Sequence, residues 1–352
     1  MTAPGPASAH ALSCHAPRWR VRFFLQACLA LASSVCAPQA GAQVLLVLSD
    51  DSAGYQSVAE ELRLGLKESR DGKLRVDAAV ASRIAGSETV SLDSYELVVT
   101  IGLAAAQQTL TREKALPAPP RTLCLLIPRQ SFERLMPPAG RARDPRLSAV
   151  FIDQPLSRQM DLLRLALPEK KRVGVILGPA SQDLAGELGN QARQHALDLT
   201  VARITERAGL YGALQTVLPA SDLLLMLPDP LVANADTVYG LLLTTYRAQL
   251  PVVGFSEGLL NAGALISLYS TAHQQGRQGA EIAREVLAHG GALPDPQYPK
   301  YFTVRVNASV ARSLGLHLPP EETLGAALNS RAEGARTPDP AGKTPAALKE
   351  EP

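Results

Sequence analysis

Apolar runs of strand length alternate along this chain with segments whose apolar residues recur every three or four positions. The first unit shows both patterns, because residues 44–48 form a continuous apolar run and Val58, Leu62 and Leu66 then follow at helical spacing. Further apolar runs cover residues 74–79, 97–101, 122–127 and 147–152. This alternation predicts a parallel sheet covered by helices, the doubly wound α/β arrangement.

A second series of the same kind begins after Pro155, a residue that suits the first turn of a helix. It predicts strands over residues 173–177, 199–204, 223–227 and 252–255, with helices between them. The remaining elements, at 264–268, 272–289, 302–306 and 308–314, are too few for a third domain. We therefore predict two Rossmann-like lobes joined by a hinge, with the first crossover near Pro155.

The boundaries that follow are an N-terminal lobe of residues 43–149 plus about 264–296 and a C-terminal lobe of residues 150–263 plus about 297–318. Residues 319–352 contain little apolar material and much Ala, Glu, Lys, Arg and Pro. Such a composition cannot bury enough apolar surface to fold. We therefore predict a disordered tail there.

The segment before the first strand has the features of a cleavable signal peptide. Three arginines, at positions 18, 20 and 22, precede a short apolar run, and Ala40-Gly41-Ala42 forms a small-x-small exit. The run is too short for a stable membrane-spanning helix. Leu25-Gln26-Ala27-Cys28 loosely resembles a lipobox, but the apolar run continues past the cysteine. We predict release into the periplasm after Ala42, with a lipid anchor on Cys28 as the alternative.

Removal of residues 1–42 changes the charge and the cysteine content. The full chain has 35 basic and 33 acidic residues, and the three arginines of the signal account for its positive net charge. The remainder carries no basic excess, which gives no electrostatic reason to expect a nucleic-acid partner. Cys124 alone of the four cysteines remains, so no intrachain disulfide is possible, and its apolar run predicts a buried strand residue.

From Ser148 onward the chain resembles the extracytoplasmic substrate-binding proteins of ABC transporters, in particular the family with receptors proposed for tryptophan and related amino acids. The motifs that carry this resemblance are Gln154-Pro155-Leu156 with Gln159, Leu167-Pro168, residues 171–175, Pro228-Asp229 with Asn234, residues 262–265, residues 276–281, and Asn307 through Ala311 to residues 314–316. Before Ser148 the resemblance is loose.

The resemblance implies the type I periplasmic-binding-protein fold, in which three strands cross between the lobes and a small-molecule ligand binds in the cleft. It also implies an ABC permease of the inner membrane as partner, a monomer, and no cofactor or catalysis. Two segments depart from the usual family pattern, residues 178–181 and Pro128-Arg129-Gln130. The ligand is therefore expected to differ from that of the better-known members.

Candidate ligand residues follow from the rule that ligands meet the carboxyl ends of strands and the amino ends of helices. In the first lobe this rule selects two loops, which contain Ser52, Tyr55, Gly102, Ala104 and Ala105. Tyr55 could cover a ligand or simply pack its loop. The small residues at 102–105 could admit a carboxylate to helix N–H groups or serve tight strand–helix packing.

In the second lobe the same rule selects Ala180 and Ser181, and Asp229 at the end of a strand. Asp229 is the best single candidate, because it could receive a ligand ammonium as the matching aspartate does in amino-acid-binding relatives. Capping of a helix is the alternative for both Ser181 and Asp229. Asn261 could reach the cleft as an amide donor or bind within the hinge.

Ser256 is a further candidate ligand residue and also the centre of the only enzyme-like motif. Gly254-Phe255-Ser256-Glu257-Gly258 fits the G-x-S-x-G pattern of a hydrolase, but the sequence leaves no room for the long helix that should follow it. Glu257 could bind a ligand but is more simply a solvated carboxylate. The histidines are scattered and form no metal-ligand spacing, so no metal site is predicted.

Aromatic content limits the ligand class, because Trp19 is the single tryptophan and lies in the signal. A pyranose that needs stacking platforms is disfavoured, and an amino-acid-like solute or small organic acid is favoured. The predicted function is a periplasmic solute receptor. The alternative is an envelope sensor or accessory protein that regulates an outer-membrane receptor or a sensor kinase, and the weak polarity of residues 178–180 is consistent with it.

Overall fold

In the computed structural model of this chain, the described residues are 43–67, 74–86, 90–136 and 144–334, and they contain eleven strands arranged in two sheets. All of them belong to one compact unit of the chain. The predicted signal peptide, including Cys28, lies outside the described residues, as do residues 335–352 of the predicted tail.

The first sheet has five parallel strands in the order β2-β1-β3-β4-β5. They are β1 (Gln43–Leu48), β2 (Arg75–Val80), β3 (Leu97–Ile101), β4 (Arg121–Ile127) and β5 (Leu147–Phe151). Four helices alternate with them, α1 (Ala53–Lys67), α2 (Ala81–Gly86), α3 (Leu103–Glu113) and α4 (Arg129–Leu135). We call this sheet and the helices on it the first lobe.

The second sheet has six strands in the order β11-β10-β9-β8-β6-β7, with only β11 antiparallel to its neighbour. They are β6 (Arg172–Leu177), β7 (Asp198–Arg203), β8 (Leu223–Leu225), β9 (Val252–Gly254), β10 (Ile266–Tyr269) and β11 (Thr303–Val306). The helices of this second lobe are α5 (Leu156–Ala166), α6 (Ala185–Gln194), α7 (Gly209–Val217), α8 (Val238–Arg247), α9 (Glu257–Ala262), α11 (Ala308–Ser313) and α12 (Glu321–Gly334).

One long helix returns to the first lobe, which makes the chain cross between the lobes three times. The first crossing joins β5 to α5, and the second joins β10 to helix α10 (Ala272–His289), which packs against α1. The third runs from α10 to β11, and on the way Gln297 pairs with β5 through Phe151 N to Gln297 O at 3.0 Å and Gln297 N to Ala149 O at 2.8 Å. We call these crossing segments the hinge.

Each sheet buries apolar side chains on both faces, as the continuous apolar runs of its strands require. All five residues of β3 are buried, and α1 buries Val58, Leu62 and Leu66 at the predicted spacing. Cys124 is fully buried in β4, and burial raises the pKa of its thiol to about 12. The doubly wound α/β prediction and the buried position of Cys124 are therefore confirmed.

Two boundary predictions are wrong. The sequence places the strand predicted at 264–268 in the N-terminal lobe, whereas β10 pairs with β9 and β11 in the second sheet. It predicts a disordered tail from residue 319, whereas residues 321–334 form α12, with Leu324 and Leu328 buried against the core of the second lobe. Glu321 fixes the start of α12, because its Oε1 accepts a hydrogen bond from Val306 N at 2.7 Å.

None of the helices in the described part of the chain is long and apolar enough to cross a bilayer.

Candidate functional site

Two of the predicted ligand loops meet at the carboxyl edge of the first sheet. Ser49, directly after β1, donates its N–H to Ile101 O at 3.0 Å, and its Oγ accepts Ala105 N at the start of α3 at 3.0 Å. Gly102 has a φ of +92°, and a Cβ there would lie 2.9 Å from the ring of Tyr55. Glycine is therefore needed both for its backbone conformation and for the close approach of the tyrosine.

The predicted residues of this edge differ in how accessible they are. Tyr55 is half-buried against Gly102, Ala105 is buried, and Ser52 and Ala104 are exposed. Ser52 is held in a turn by its own N–H, which donates to Asp50 Oδ1 at 2.8 Å. The sequence did not single out Ser49, although its side chain joins the two loops.

In the second lobe Asp229 and Ser181 form one buried cluster at the ends of β6 and β8. Asp229 Oδ2 accepts from Ser181 N at 3.0 Å and from Ser181 Oγ at 2.8 Å, while Oδ1 accepts from Leu231 N at 2.9 Å. A Cβ on Gly178 would lie 2.4 Å from Asp229 Oδ1, so only glycine fits there. Asp229 is 3% exposed and both of its oxygens bind protein donors. This gives Asp229 a structural role, and its predicted ammonium contact stays a prediction.

Ser256 directly precedes the short helix α9, and Asn261 lies in its last turn. Ser256 is the N-cap of α9, because its Oγ accepts from Leu259 N at 3.2 Å, and Asn261 is exposed. Helix α9 has six residues, so the long helix of a hydrolase nucleophile elbow is missing from this place. The structure therefore explains Ser256 as a capping residue.

The two lobes touch directly through α4 of the first lobe and residues 179–187 of the second. Arg129 Nη2 donates to Glu187 Oε2, and Arg134 Nη2 lies 3.2 Å from Asp183 Oδ2 and 3.1 Å from Pro179 O. Between them, the Gln130 amide in the orientation that satisfies both partners donates to Ala180 O and accepts from Leu184 N. We call this set the cleft contact.

Arg129 is held in place by residues of the hinge. Its backbone N–H donates to Asp153 Oδ2 at 2.6 Å, and its guanidinium lies 5.9 Å from the ring centroid of Tyr298. Tyr298 in turn packs edge-on against Phe151, with centroids 5.5 Å apart. Burial raises the pKa of the Asp153 carboxyl and raises the pKa of Tyr298 to about 12. Tyr298 is therefore a neutral hydroxyl at neutral pH.

A cavity of about 20 Å³ remains beside the cleft contact. Its walls come from both lobes and the hinge and consist of Arg129, Gln130, Asp153, Gln154, Leu156, Gln159, Leu184, Leu227, Pro228 and Tyr298. This volume accommodates about one water molecule. A larger solute fits between these walls only when the lobes move apart.

The hinge is joined by buried amide side chains. Gln154 Nε2, in the first crossing, donates to Ser270 Oγ in the second at 3.0 Å, and Ser270 Oγ donates to Tyr301 O in the third at 2.6 Å. Arg158 Nη1 donates to Gln154 Oε1 at 2.6 Å and to Pro299 O at 3.1 Å. Each crossing is thereby bound to the other two.

Two glutamines of α10 complete this arrangement. Gln275 Nε2 donates to Phe151 O at 3.1 Å, and Gln278 Oε1 accepts from Lys300 N at 2.8 Å. We call Gln154, Arg158, Ser270, Gln275 and Gln278 the hinge network. Gln154 belongs to one of the motifs that carry the family resemblance. At least this motif therefore reflects the structure of the hinge.

A second, larger cavity of about 450 Å³ lies outside the cleft, between α5, the third crossing and α12. Asp161 at its edge accepts a hydrogen bond from Arg331 and lies 3.5 Å from His195 Nε2. Among the described residues, no group of three or more His, Cys, Asp or Glu side chains could hold a metal ion.

A family model described as "ABC transporter substrate binding protein" matches residues 71–329. Solved structures agree in fold. A conserved domain protein from Vibrio cholerae has a TM-score of 0.58 at 20% identity, with 81% of this chain and 98% of that chain covered. No curated protein gives a significant match to the sequence.

Two further solved structures of the same fold differ in ligand state. An ABC domain in complex with L-Trp from Streptococcus pneumoniae has a TM-score of 0.58 at 17% identity, with coverage of 81% and 98%. A ligand-free, open substrate-binding protein with adhesive properties from Clostridium difficile has a TM-score of 0.61 at 16% identity, with coverage of 80% and 97%. These likenesses confirm the type I periplasmic-binding-protein fold, and the family match spans about three quarters of the chain. The chain therefore belongs to the family of ABC transporter substrate-binding proteins.

Proposed function

We propose that this protein binds a small solute in the cleft between its lobes and delivers it to an ABC permease of the inner membrane. The observation that carries the proposal is the position of the cleft. The loops that follow β4 in the first sheet and β6 and β8 in the second face each other there, beside a hinge of three crossings. This is where open α/β sheets bind ligands.

Hinged closure is the physical basis of this function, and no chemical step is needed. A solute that touches both walls stabilises the closed arrangement by its extra contacts, and the permease then distinguishes closed from open. The cleft contact supports this mechanism, because it consists of side chains that reach from one lobe to the other. We place the protein in the periplasm as a freely diffusing monomer.

The solute class that we propose is an amino acid or a small organic acid. The walls carry charged and amide groups, Arg129, Gln130, Asp153 and Gln154, and Tyr298 is the only aromatic residue among those that line the cavity. Charged groups of both signs suit a small amphoteric or acidic solute better than a sugar, because many sugar sites use aromatic stacking platforms.

The alternative function, an envelope sensor or accessory protein, is favoured by one observation. The lobes are already joined across the cleft by direct contacts, and the cavity beside these contacts is about 20 Å³. A protein that only needs its outer surface has no use for a larger cleft.

A thermal-shift screen of the purified protein separates the two functions. The panel contains the amino acids, small carboxylic acids, nucleosides and sugars at millimolar concentration. A solute receptor gains stability by mass action, about 2.7 kcal/mol at a ligand concentration of about 100 Kd. If no compound moves the melting temperature, transport of these solute classes is wrong and the sensor function is favoured.

A further inference from the structure

The two walls of the cleft carry opposite charges. Helix α4 contributes Arg129 and Arg134 from the first lobe, and residues 179–187 contribute Asp183 and Glu187 from the second. Glu133, also on α4, lies 3.8 Å from Arg129 Nη1 and leaves this wall with a net positive charge. Each arginine faces one acid across the cleft. The attraction between the walls is therefore electrostatic and direct.

The two ion pairs differ in exposure. The Arg129 and Glu187 side chains are 24% and 40% exposed, against 47% for Arg134 and 66% for Asp183. An exposed pair is screened by water and salt and contributes little, whereas a partly buried pair is screened less. The Arg129–Glu187 pair is thus the stronger of the two.

Arg129 has the features of an anion receptor rather than of an ordinary surface arginine. Asp153 fixes its backbone and the Tyr298 ring lies against its guanidinium, so the group is positioned at the cavity wall. A guanidinium presents several N–H donors in a planar fork that matches a carboxylate. Glu187 supplies such a carboxylate from the opposite wall.

We propose that Glu187 is a built-in competitor for Arg129. The ion pair closes the cleft, and a solute enters when its own carboxylate replaces that of Glu187 on the Arg129 guanidinium. This inference rests on the proposed function and narrows it, because the solute must carry a carboxylate. It also accounts for Pro128-Arg129-Gln130, the segment that departs from the family pattern.

The first test measures closure without any solute. Small-angle X-ray scattering at low salt should give a larger radius of gyration for Arg129→Glu and for Glu187→Arg than for the unchanged protein. The double variant Arg129→Glu/Glu187→Arg should return to the original value, because the pair is restored in reverse. Arg207→Gln is the matched control, since it breaks an exposed pair with Asp236 within the second lobe. Single variants that scatter like the unchanged protein would overturn the closing role.

The second test measures exchange. Thermal shift and calorimetry compare each acid with the amide that lacks its carboxylate, for example succinate with succinamide and L-leucine with L-leucinamide. Acids should bind and amides should not, and Arg129→Gln should weaken binding at least tenfold. Glu187→Gln should tighten binding about threefold to fivefold, because removal of the competitor raises the fraction of molecules that are open.

The outcomes separate this inference from the proposed function. If neutral solutes bind as tightly as acids, or if Glu187→Gln weakens binding, the exchange is wrong and solute binding stands. If no compound binds, both the exchange and the proposed function are wrong for these solutes. The scattering result then still decides whether the ion pair closes the cleft.

Discussion

The hinge network and the cleft contact both join the two lobes, but they do so with different chemistry. The hinge network is buried except for the half-buried Ser270, and its bonds run mainly between amide, hydroxyl and backbone groups, with Arg158 as its charged member. The cleft contact is partly exposed and consists of two ion pairs together with hydrogen bonds of Gln130 and Arg134 to backbone groups. One junction is shielded from solvent, and the other is open to it.

This difference in burial indicates that the cleft contact can open while the hinge network stays joined. A buried donor or acceptor that loses its partner costs about 1–3 kcal/mol, so a network of such groups stays intact while the lobes move. Partly exposed ion pairs such as those of the cleft contact contribute about 0–1 kcal/mol each, which the contacts of a bound solute can replace. The hinge network therefore contains the contacts that are costly to break, and the cleft contact contains those that are easily replaced.

Of the substitutions that test the strength of the hinge network, Arg158→Ala is expected to lower the free energy of unfolding the most. Arg158 is 7% exposed, binds Gln154 and the Pro299 carbonyl, and lies 4.3 Å from the Phe302 ring centroid. Its loss removes these contacts and leaves buried oxygens with fewer donors. We expect the free energy of unfolding, measured by urea titration, to fall by about 3 kcal/mol.

Arg164→Ala is the control for this substitution, because Arg164 lies on the same helix, is half-buried, and makes a solvent-exposed hydrogen bond to Pro168 O. It should change the free energy of unfolding by less than about 0.5 kcal/mol. Equal effects of the two variants would mean that the hinge network is no stronger than an exposed contact.

Most of the fold could be predicted from the sequence, because each strand and helix leaves a local pattern. The exceptions are elements whose pattern is weak or whose partner is distant. Residues 264–268 were recognised as a strand, but an apolar run does not encode which sheet it joins. In helix α12 the buried apolar residues are Leu324 and Leu328. Two such residues in a segment otherwise rich in small and polar side chains give a composition typical of a solvated tail.

The candidate site could be predicted only in part. Strand ends identified Ser181 and Asp229, which the structure does bring together. They did not identify Glu187 as the partner of Arg129, because the two are 58 residues apart and belong to different lobes. The one available signal was that Pro128-Arg129-Gln130 departs from the family pattern.

Asp229→Asn separates loss of stability from opening of the cleft, because Asp229 lies beside the cleft but its hydrogen bonds are within the second lobe. An amide cannot accept from both Ser181 and Leu231 with its two ends, so one buried donor loses its partner. We expect unfolding free energy to fall by about 1–3 kcal/mol while the radius of gyration stays unchanged. Asp236→Asn, which breaks an exposed pair with Arg207, should have little effect on either quantity. A larger radius of gyration for Asp229→Asn would place Asp229 in the closing mechanism.

Asp153→Asn tests how ionisation of a buried carboxyl affects stability at the place where the first crossing contacts Arg129 of the cleft. Burial raises the pKa of the Asp153 carboxyl above its ordinary 3.8, so the folded protein holds this proton longer than the unfolded chain. Stability from this group is therefore lost as the pH rises above about 3.8. The asparagine can still accept the Arg129 N–H without ionising. We expect the variant to be more stable than the unchanged protein at pH 7 and equal to it near pH 3, with urea titration as the measurement.

Asp144→Asn is expected to change stability at pH 7 in the opposite direction to Asp153→Asn. A hydrogen bond from Arg146 lowers the pKa of the Asp144 carboxyl, so its stabilising effect is present above pH 3.8 and lost as the pH falls further. This variant should be less stable than the unchanged protein at pH 7. If both variants shift stability in the same direction at pH 7, burial is not what governs Asp153.

The smallest effect is expected from salt, and it separates the two junctions without any substitution in the hinge. Raising sodium chloride from about 0.05 M to about 1 M shortens the Debye length to about 3 Å, which screens the exposed ion pairs of the cleft contact. The radius of gyration should therefore rise slightly, while the buried hinge network keeps the lobes joined. The variant Asp183→Asn/Glu187→Gln has no cleft pairs to screen, so its radius of gyration should already be large and should not respond to salt. A salt response of equal size in that variant would show that the walls are held together by something other than these charges.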